Sequence, residues 1–152
     1  MATFSRGFSP VSAQKVAAVE RRLGVRLPPD YKRFLRTTNG GIPDPNCFTV
    51  PDREDALLDI LYGLRNDRTD SDLEFEQEQA ALWDPLPVGF VAIGHDPGGN
   101  GLLLATLGKD AGRVFSWDRV GFWVKDDGSN TFPVAASFTE FIESLRELPP
   151  DA

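Results

Sequence analysis

Two short helical stretches, each closed by glycine and separated by a double proline, constrain this chain more than any other feature. In residues 9–23, Ser9 can cap a helix and Pro10 fits its first position, where a missing N–H costs nothing. Val16, Val19 and Leu23 then fall on one apolar stripe, and Gly24 suits the left-handed residue that ends it. Residues 25–27 read as an extended link, because the following prolines disfavour helix. Pro28-Pro29-Asp30 opens a second helix, with Asp30 at the positive end of its dipole. Tyr31, Phe34, Leu35 and Thr38 make its buried face, and Asn39-Gly40-Gly41 stops it. The result is a compact helix–turn–helix unit whose surface cations Lys32, Arg33 and Arg36 invite comparison with DNA readers. A DNA-reading second helix presents polar side chains near its start, and this one starts Pro-Pro-Asp-Tyr. Nucleic-acid binding is not expected.

Beyond the helices the pattern loosens. Residues 42–51 form a proline-broken loop with a strand candidate at 47–50, and 56–64 fits a strand or a short helical piece. A polar loop at 66–72 leads into Ser71-Asp72-Leu73-Glu74, a capping-box pattern. It predicts a third helix to about Trp83, surface-lying and acidic outside, resting on Phe75, Leu82 and Trp83. From Pro85 onward strands and turns dominate. Strands are expected at 90–93, 102–106, 113–117 and 122–125, and the unbroken apolar run Leu102-Leu103-Leu104-Ala105 implies burial on both faces. Asn100-Gly101 and Asp127-Gly128 supply tight turns. Ser137, with Glu140 three residues on, caps a last helix whose apolar face is Phe138, Phe141, Ile142 and Leu145. The fold class expected is α+β: a mixed, mainly antiparallel sheet with the N-terminal helix pair and the C-terminal helix packed against it. One domain over 1–152 is expected, with a core from about 9 to 148 and loosely held ends at 1–7 and 149–152.

Charge is distributed unevenly. Residues 1–50 carry eight Lys/Arg against three Asp/Glu, residues 51–84 three against eleven, and the whole chain is −7. An acidic chain gains nothing from the counterion release that drives binding to phosphates, and would be steered instead to a basic protein surface. No apolar run approaches the ~20 residues that span a bilayer, so no membrane association is expected. The first ten residues lack the apolar stretch of a secretory signal, and a lone Cys47 requires no oxidising compartment. The expected location is the cytoplasm, as a monomer or weak dimer.

Chemistry is sparse. His95 is the only histidine; Asp96 or Asp118 could orient it in a Ser–His–Asp set, but no Gly-x-Ser-x-Gly elbow is present. Cys47 with His95 would make a nucleophile and base, yet nothing in the sequence joins them. Zinc would need more Cys and His than the chain has. Asp67, Asp70, Asp72, Glu74, Glu76 and Glu78 are hard-oxygen ligands without a calcium-loop pattern, so a solvated acidic face is the expectation. The glycines of 94–101 fit neither a P-loop nor a dinucleotide fingerprint and read as a turn. No catalytic residue, no metal site and no cofactor is expected.

Two stretches together carry a resemblance. Val19-Glu20-Arg21-Arg22-Leu23-Gly24-Val25-Arg26-Leu27-Pro28-Pro29-Asp30-Tyr31-Lys32-Arg33-Phe34-Leu35, closed by Asn39-Gly40-Gly41, is one. Leu86-Pro87-Val88-Gly89-Phe90-Val91-Ala92-Ile93-Gly94, with Gly98-Gly99 and Gly112-Arg113-Val114-Phe115-Ser116-Trp117-Asp118, is the other. They resemble the Smi/Knr type of the SUKH superfamily, and Ser137-Phe138-Thr139-Glu140-Phe141-Ile142 is similar to its closing helix. The likeness runs over nearly the whole chain. It departs at Asn100, where an acidic residue is common, and in 51–84, which shows no clear family pattern.

The resemblance implies a non-enzymatic α+β domain. Bacterial members of the family are taken to be immunity proteins that neutralise toxins, often nucleases, of polymorphic or contact-dependent systems; fungal relatives regulate cell-wall assembly. The motif residues read as structure, leaving recognition to the exterior. The expected function is therefore that of an immunity protein whose partner is a basic toxin domain. The alternative is an intracellular scaffold or regulator of the cell-wall assembly type. The expected contact residues are the acids Asp52, Glu54, Asp55, Asp70, Asp72, Glu74, Glu76 and Glu78, with Trp83 as a buried anchor.

Overall fold

The computed structural model describes residues 2–65, 70–83, 86–119 and 130–149, with the backbone alone at Trp83. The strand expected at 122–125, the Asp127-Gly128 turn, residue 1, residues 66–69 and residues 150–152 lie outside the described residues. In chain order the elements are β1 (Thr3–Ser5), α1 (Ala13–Leu23), α2 (Pro29–Thr37), β2 (Ile42–Asp44), β3 (Cys47–Phe48), β4 (Ala56–Leu57) and β5 (Ile60–Leu61). Then come α3 (Leu73–Trp83), β6 (Phe90–His95), β7 (Gly101–Ala105), a 3-10 turn (Gly108–Asp110), β8 (Val114–Trp117), β9 (Thr131–Ala135) and α4 (Phe138–Ser144).

Strands β5 to β9 form one five-stranded antiparallel meander in sequence order. The α+β class is as expected. Every described ladder is antiparallel, and parallel pairing is confined to a single bridge between Gly63 and Asp72. At the centre, all five residues of β7 are buried, as its apolar run predicts. Gly101 starts that strand because a Cβ there would stand 2.8 Å from Cε3 of the fully buried Trp117. The 56–64 segment resolves as two short strands, β4 pairing with β3 and β5 with β6. Strand β9 escapes sequence reading because Pro133 interrupts it; at a sheet edge a missing N–H is tolerated.

Helix α1 begins at Ala13, three residues later than expected, and its cap is Ser12, whose Oγ accepts the Lys15 N–H at 3.1 Å. The reason lies at residue 39. Asn39 Nδ2 donates to the Ser9 carbonyl at 2.8 Å, and the Phe8 N–H donates to the Asn39 carbonyl at 3.1 Å. Residues 8 and 9 are thereby tied to the end of α2 and are not drawn into the first turn of a helix. Nor do residues 3–5 stand apart from the fold. Strand β1 pairs with β2, and Phe4 packs edge-on against Phe34 at 5.3 Å. Asp30 does more than face a dipole: its Oδ2 accepts from the backbone N–H and the hydroxyl of Thr139, joining α2 to α4. Tyr31, Phe34 and Phe138 fill the space between those helices, with centroids 5.0 Å apart across each Phe138 contact.

Helix α3 is held differently from the expectation. Asp72, not Ser71, caps it by accepting the Phe75 N–H at 2.9 Å. Gln77 reaches the sheet, accepting the Ala92 N–H and donating to the Ala92 carbonyl beside the bulge in β6. That register buries Leu73 and Ala80, half-buries Phe75 and leaves Leu82 70% exposed, so Leu82 is not the core contact its type suggested.

Asn39 is fully buried at a φ of 56°, with Nδ2 donating to the Ser9 and Leu64 carbonyls and Oδ1 accepting the Leu64 N–H at 2.7 Å. Asn39→Ala strands those groups and places an alanine in a left-handed conformation, so urea unfolding should show a loss of about 2–4 kcal/mol. Tyr31 gives the opposite case. Its hydroxyl is buried without a hydrogen-bond partner among the described residues, and burial pushes the phenol well above its usual value near 10, with Tyr62 adding to the shift. A raised folded-state value means this contribution to stability is whole below pH 10 and is lost as the pH climbs beyond it. Tyr31→Phe should leave stability at pH 7 within about 1 kcal/mol of wild type and flatten the alkaline loss above pH 10.

Candidate functional site

In an antiparallel meander, alternate strands run the same way. Strands β6 and β8 therefore finish at one end of the sheet, and the residues after them, Asp96 and Asp118, arrive at the same edge. The β3–β4 connection brings Asp52, Arg53, Glu54 and Asp55 to that edge, closed by the pairing of Cys47 with Leu57 and Phe48 with Ala56. Together these segments line a surface groove of about 630 Å³, with Asn100 of the β6–β7 turn and Ser116 of β8 also in its lining.

Two guanidiniums brace the groove. Arg53 donates to Asp118 Oδ2 at 2.6 Å and lies 4.4 Å over the ring of Phe132. Arg146 meets Asp55 at 2.7 Å and also donates to Thr49 Oγ1 and Cys47 Sγ. The hydrogen bond to Asp55 holds the Arg146 side chain above its usual pKa, so it stays charged at any working pH. Asp96 is committed to its turn, where Oδ1 accepts the Asn100 N–H at 2.8 Å. Asp52 and Glu54 are exposed and have no ion-pair partner among the described residues. Five carboxylates thus face two guanidiniums, and the groove keeps an excess of negative charge.

The other acids singled out by sequence do not gather there. Asp72 is 3% exposed and accepts the N–H groups of Arg65 and Phe75. Glu74 receives a two-pronged contact from Arg22, both bonds 2.7 Å, which fastens α3 to α1. Glu76 accepts the Ser71 N–H at 3.0 Å. Asp70 and Glu78 are exposed, and the Trp83 side chain lies outside the described residues. Asp96 and Asp118, by contrast, stand out in the sequence only as candidate partners for His95. Strand polarity was the signal that could have placed them with Asp52, Glu54 and Asp55.

His95 sits in a smaller pocket of about 250 Å³ lined also by Tyr62, Glu76 and Arg119. Its Nδ1 is 2.8 Å from the Tyr62 hydroxyl and its Nε2 is 3.5 Å from Asp59, so neither Asp96 nor Asp118 orients the imidazole. Burial, reinforced by Glu76, raises the Tyr62 phenol far above its usual value, so it remains protonated; it shares a hydrogen bond with the ring whose direction follows the imidazole tautomer. That is a structural hydrogen bond and not an activated nucleophile. Cys47 is fully buried and its sulfur meets Arg146. Among the described residues no group of three or more His, Cys, Asp or Glu is placed to hold a metal ion, and no helix is long and apolar enough to cross a membrane. Asn100, the departure from the family pattern, accepts the Arg119 N–H at 3.0 Å through Oδ1, a task an acidic side chain performs equally.

Residues 10–144 match the family model described as SMI1 / KNR4 family (SUKH-1), a span that takes in both motif stretches and α4. The chain is also 24% identical over 157 residues to a Bacillus subtilis (strain 168) protein described as SPbeta prophage-derived uncharacterized protein YokK. That alignment covers 91% of this chain and 77% of the relative.

Asp118 is 7% exposed and Arg53 is its partner at 2.6 Å. Arg53→Met leaves a nearly buried carboxylate without its charge-assisted bond. Thermal or urea unfolding should register a loss of about 1–3 kcal/mol, and an unchanged midpoint would mean the pair does not brace the groove.

Proposed function

We propose that this chain, which belongs to the SMI1 / KNR4 family (SUKH-1), is a non-enzymatic immunity protein that binds and neutralises a basic toxin domain through its acidic groove. One observation carries this reading above the others: Asp52, Glu54, Asp55, Asp96 and Asp118 converge on one groove at one end of the sheet. A nuclease must present cations to the phosphates it cleaves, so a nuclease is the toxin class whose working face best complements this surface. The contact set then centres on Asp52, Glu54 and Asp55, with Asp70 and Glu78 as further contacts and Trp83 as the anchor. Asp72, Glu74 and Glu76 serve the scaffold. The protein acts in the cytoplasm, and no chemical step is assigned to it.

The acids that steer capture are exposed, so they act mainly on the association rate, and salt screens them. A pull-down from the native host should recover a basic toxin domain encoded beside this gene, and a nuclease assay should show inhibition by the chain. Stopped-flow association should slow at least about tenfold between low and physiological salt. The variant Asp52→Asn with Glu54→Gln should show the same slowing at low salt. A salt-independent rate contradicts the groove as the capture surface. Recovery of a neutral intracellular scaffold in place of a toxin would assign the chain to the regulatory branch.

A further inference from the structure

The end of the sheet opposite the acidic groove has a different chemistry. Strand β6 is six residues long, so its two ends lie about 17–20 Å apart, and surfaces built on them are separate. At the far end Val88 and Leu107 are 88% and 64% exposed. They are held in place: the Thr106 N–H donates to the Gly89 carbonyl at 2.8 Å, and a Cβ on Gly89 would lie 3.6 Å from Leu107 Cβ. Leu107 forms one side of a groove of about 580 Å³ whose other side is Ala17, Val25, Arg21 and Arg26 from α1 and the link after it.

The charges of this groove are not cancelled. Glu20, its single acid, directs Oε2 at the Leu27 N–H at 2.7 Å, with Lys32 a further 3.8 Å contact. Arg22 is taken by Glu74. Arg21 and Arg26 are exposed and have no ion-pair partner among the described residues. Two guanidiniums beside the exposed Leu107, with the exposed Val88 next to the Gly89 that packs near it, match an acidic segment that also carries aliphatic residues. A bare phosphate backbone would leave Val88 and Leu107 uncovered.

We propose that this basic-rimmed apolar groove is a second docking surface and takes an acidic, leucine-bearing segment of a partner protein. It does not depend on the toxin reading, because the two surfaces stand at opposite ends of the β6–β7 hairpin. One chain could then hold a basic partner and an acidic one at once.

The test uses the full chain and a fluorescein-labelled helical peptide with Leu along one face and Glu on the rest, read by anisotropy. Wild type should bind it saturably, and Leu107→Ser and Arg26→Glu should each weaken binding at least about tenfold. Both residues are exposed, so both variants should melt with wild type. Asp52→Asn should bind the peptide as wild type does, which separates this surface from the acidic groove. Failure to bind, or equal binding of a peptide with Ser in place of every Leu, would overturn the proposal. So would tighter binding of a DNA duplex that Arg26→Glu abolishes. Concentration-dependent self-association in sedimentation that Leu107→Ser removes would also overturn it, by making a second copy the occupant.

Discussion

The side chain of Asn39 is the contact on which the rest of the arrangement depends. Three segments distant in sequence meet there: the chain before α1, the end of α2, and the stretch after β5 that leads to the sheet. An amide supplies donors and an acceptor from one planar group, and only such a group can satisfy the Leu64 N–H and the Ser9 and Leu64 carbonyls together. The approach is close enough that a Cβ on Gly63 would strike the Asn39 carbonyl, and a Cβ on Gly40 would meet backbone of residues 61–63. The Asn39-Gly40-Gly41 sequence is thus a junction between helices and sheet as well as a helix stop.

With the helices fixed to the sheet in this way, strand polarity decides what each end presents. The ends of β6 and β8 share an edge and bring carboxylates to it; the opposite end is approached by α1 and its arginines. The uneven charge along the chain becomes an uneven charge across the fold. Many of the acids in the dense 70–78 stretch are consumed in assembly, as a cap on α3, a tether to α1 and a support for the turn before α3. Net charge in a segment says how much field a surface can carry. Which carboxylates remain for a partner is settled by where the backbone N–H groups and arginines already claim them.

Much of this was legible in residue types. Gly24 takes its left-handed φ of 69°, Ser137 caps α4 by accepting the Glu140 N–H, and β7 is buried as its leucines indicate. What sequence could not supply were tertiary claims on local signals. Ser9 looks like a cap until Asn39 takes its carbonyl. Ser71 looks like one too, but it sits at a φ of 72° and the cap passes to Asp72. Strand β9 is hidden by a proline that an edge position excuses. Three of the groove's five carboxylates are visible in the sequence as Asp52, Glu54 and Asp55; Asp96 and Asp118 join them only once the meander is known.

On this account the motif residues build the scaffold and the acidic edge does the recognising. Amide hydrogen exchange on the complex with the partner captured from the host tests it most directly. Protection should rise at 52–58, 96–100 and 116–118, with β7 and the start of β6 unchanged. Protection gained instead around Tyr62, Glu76 and His95, with the 52–58 amides left as they were, would contradict it and move recognition to the imidazole pocket.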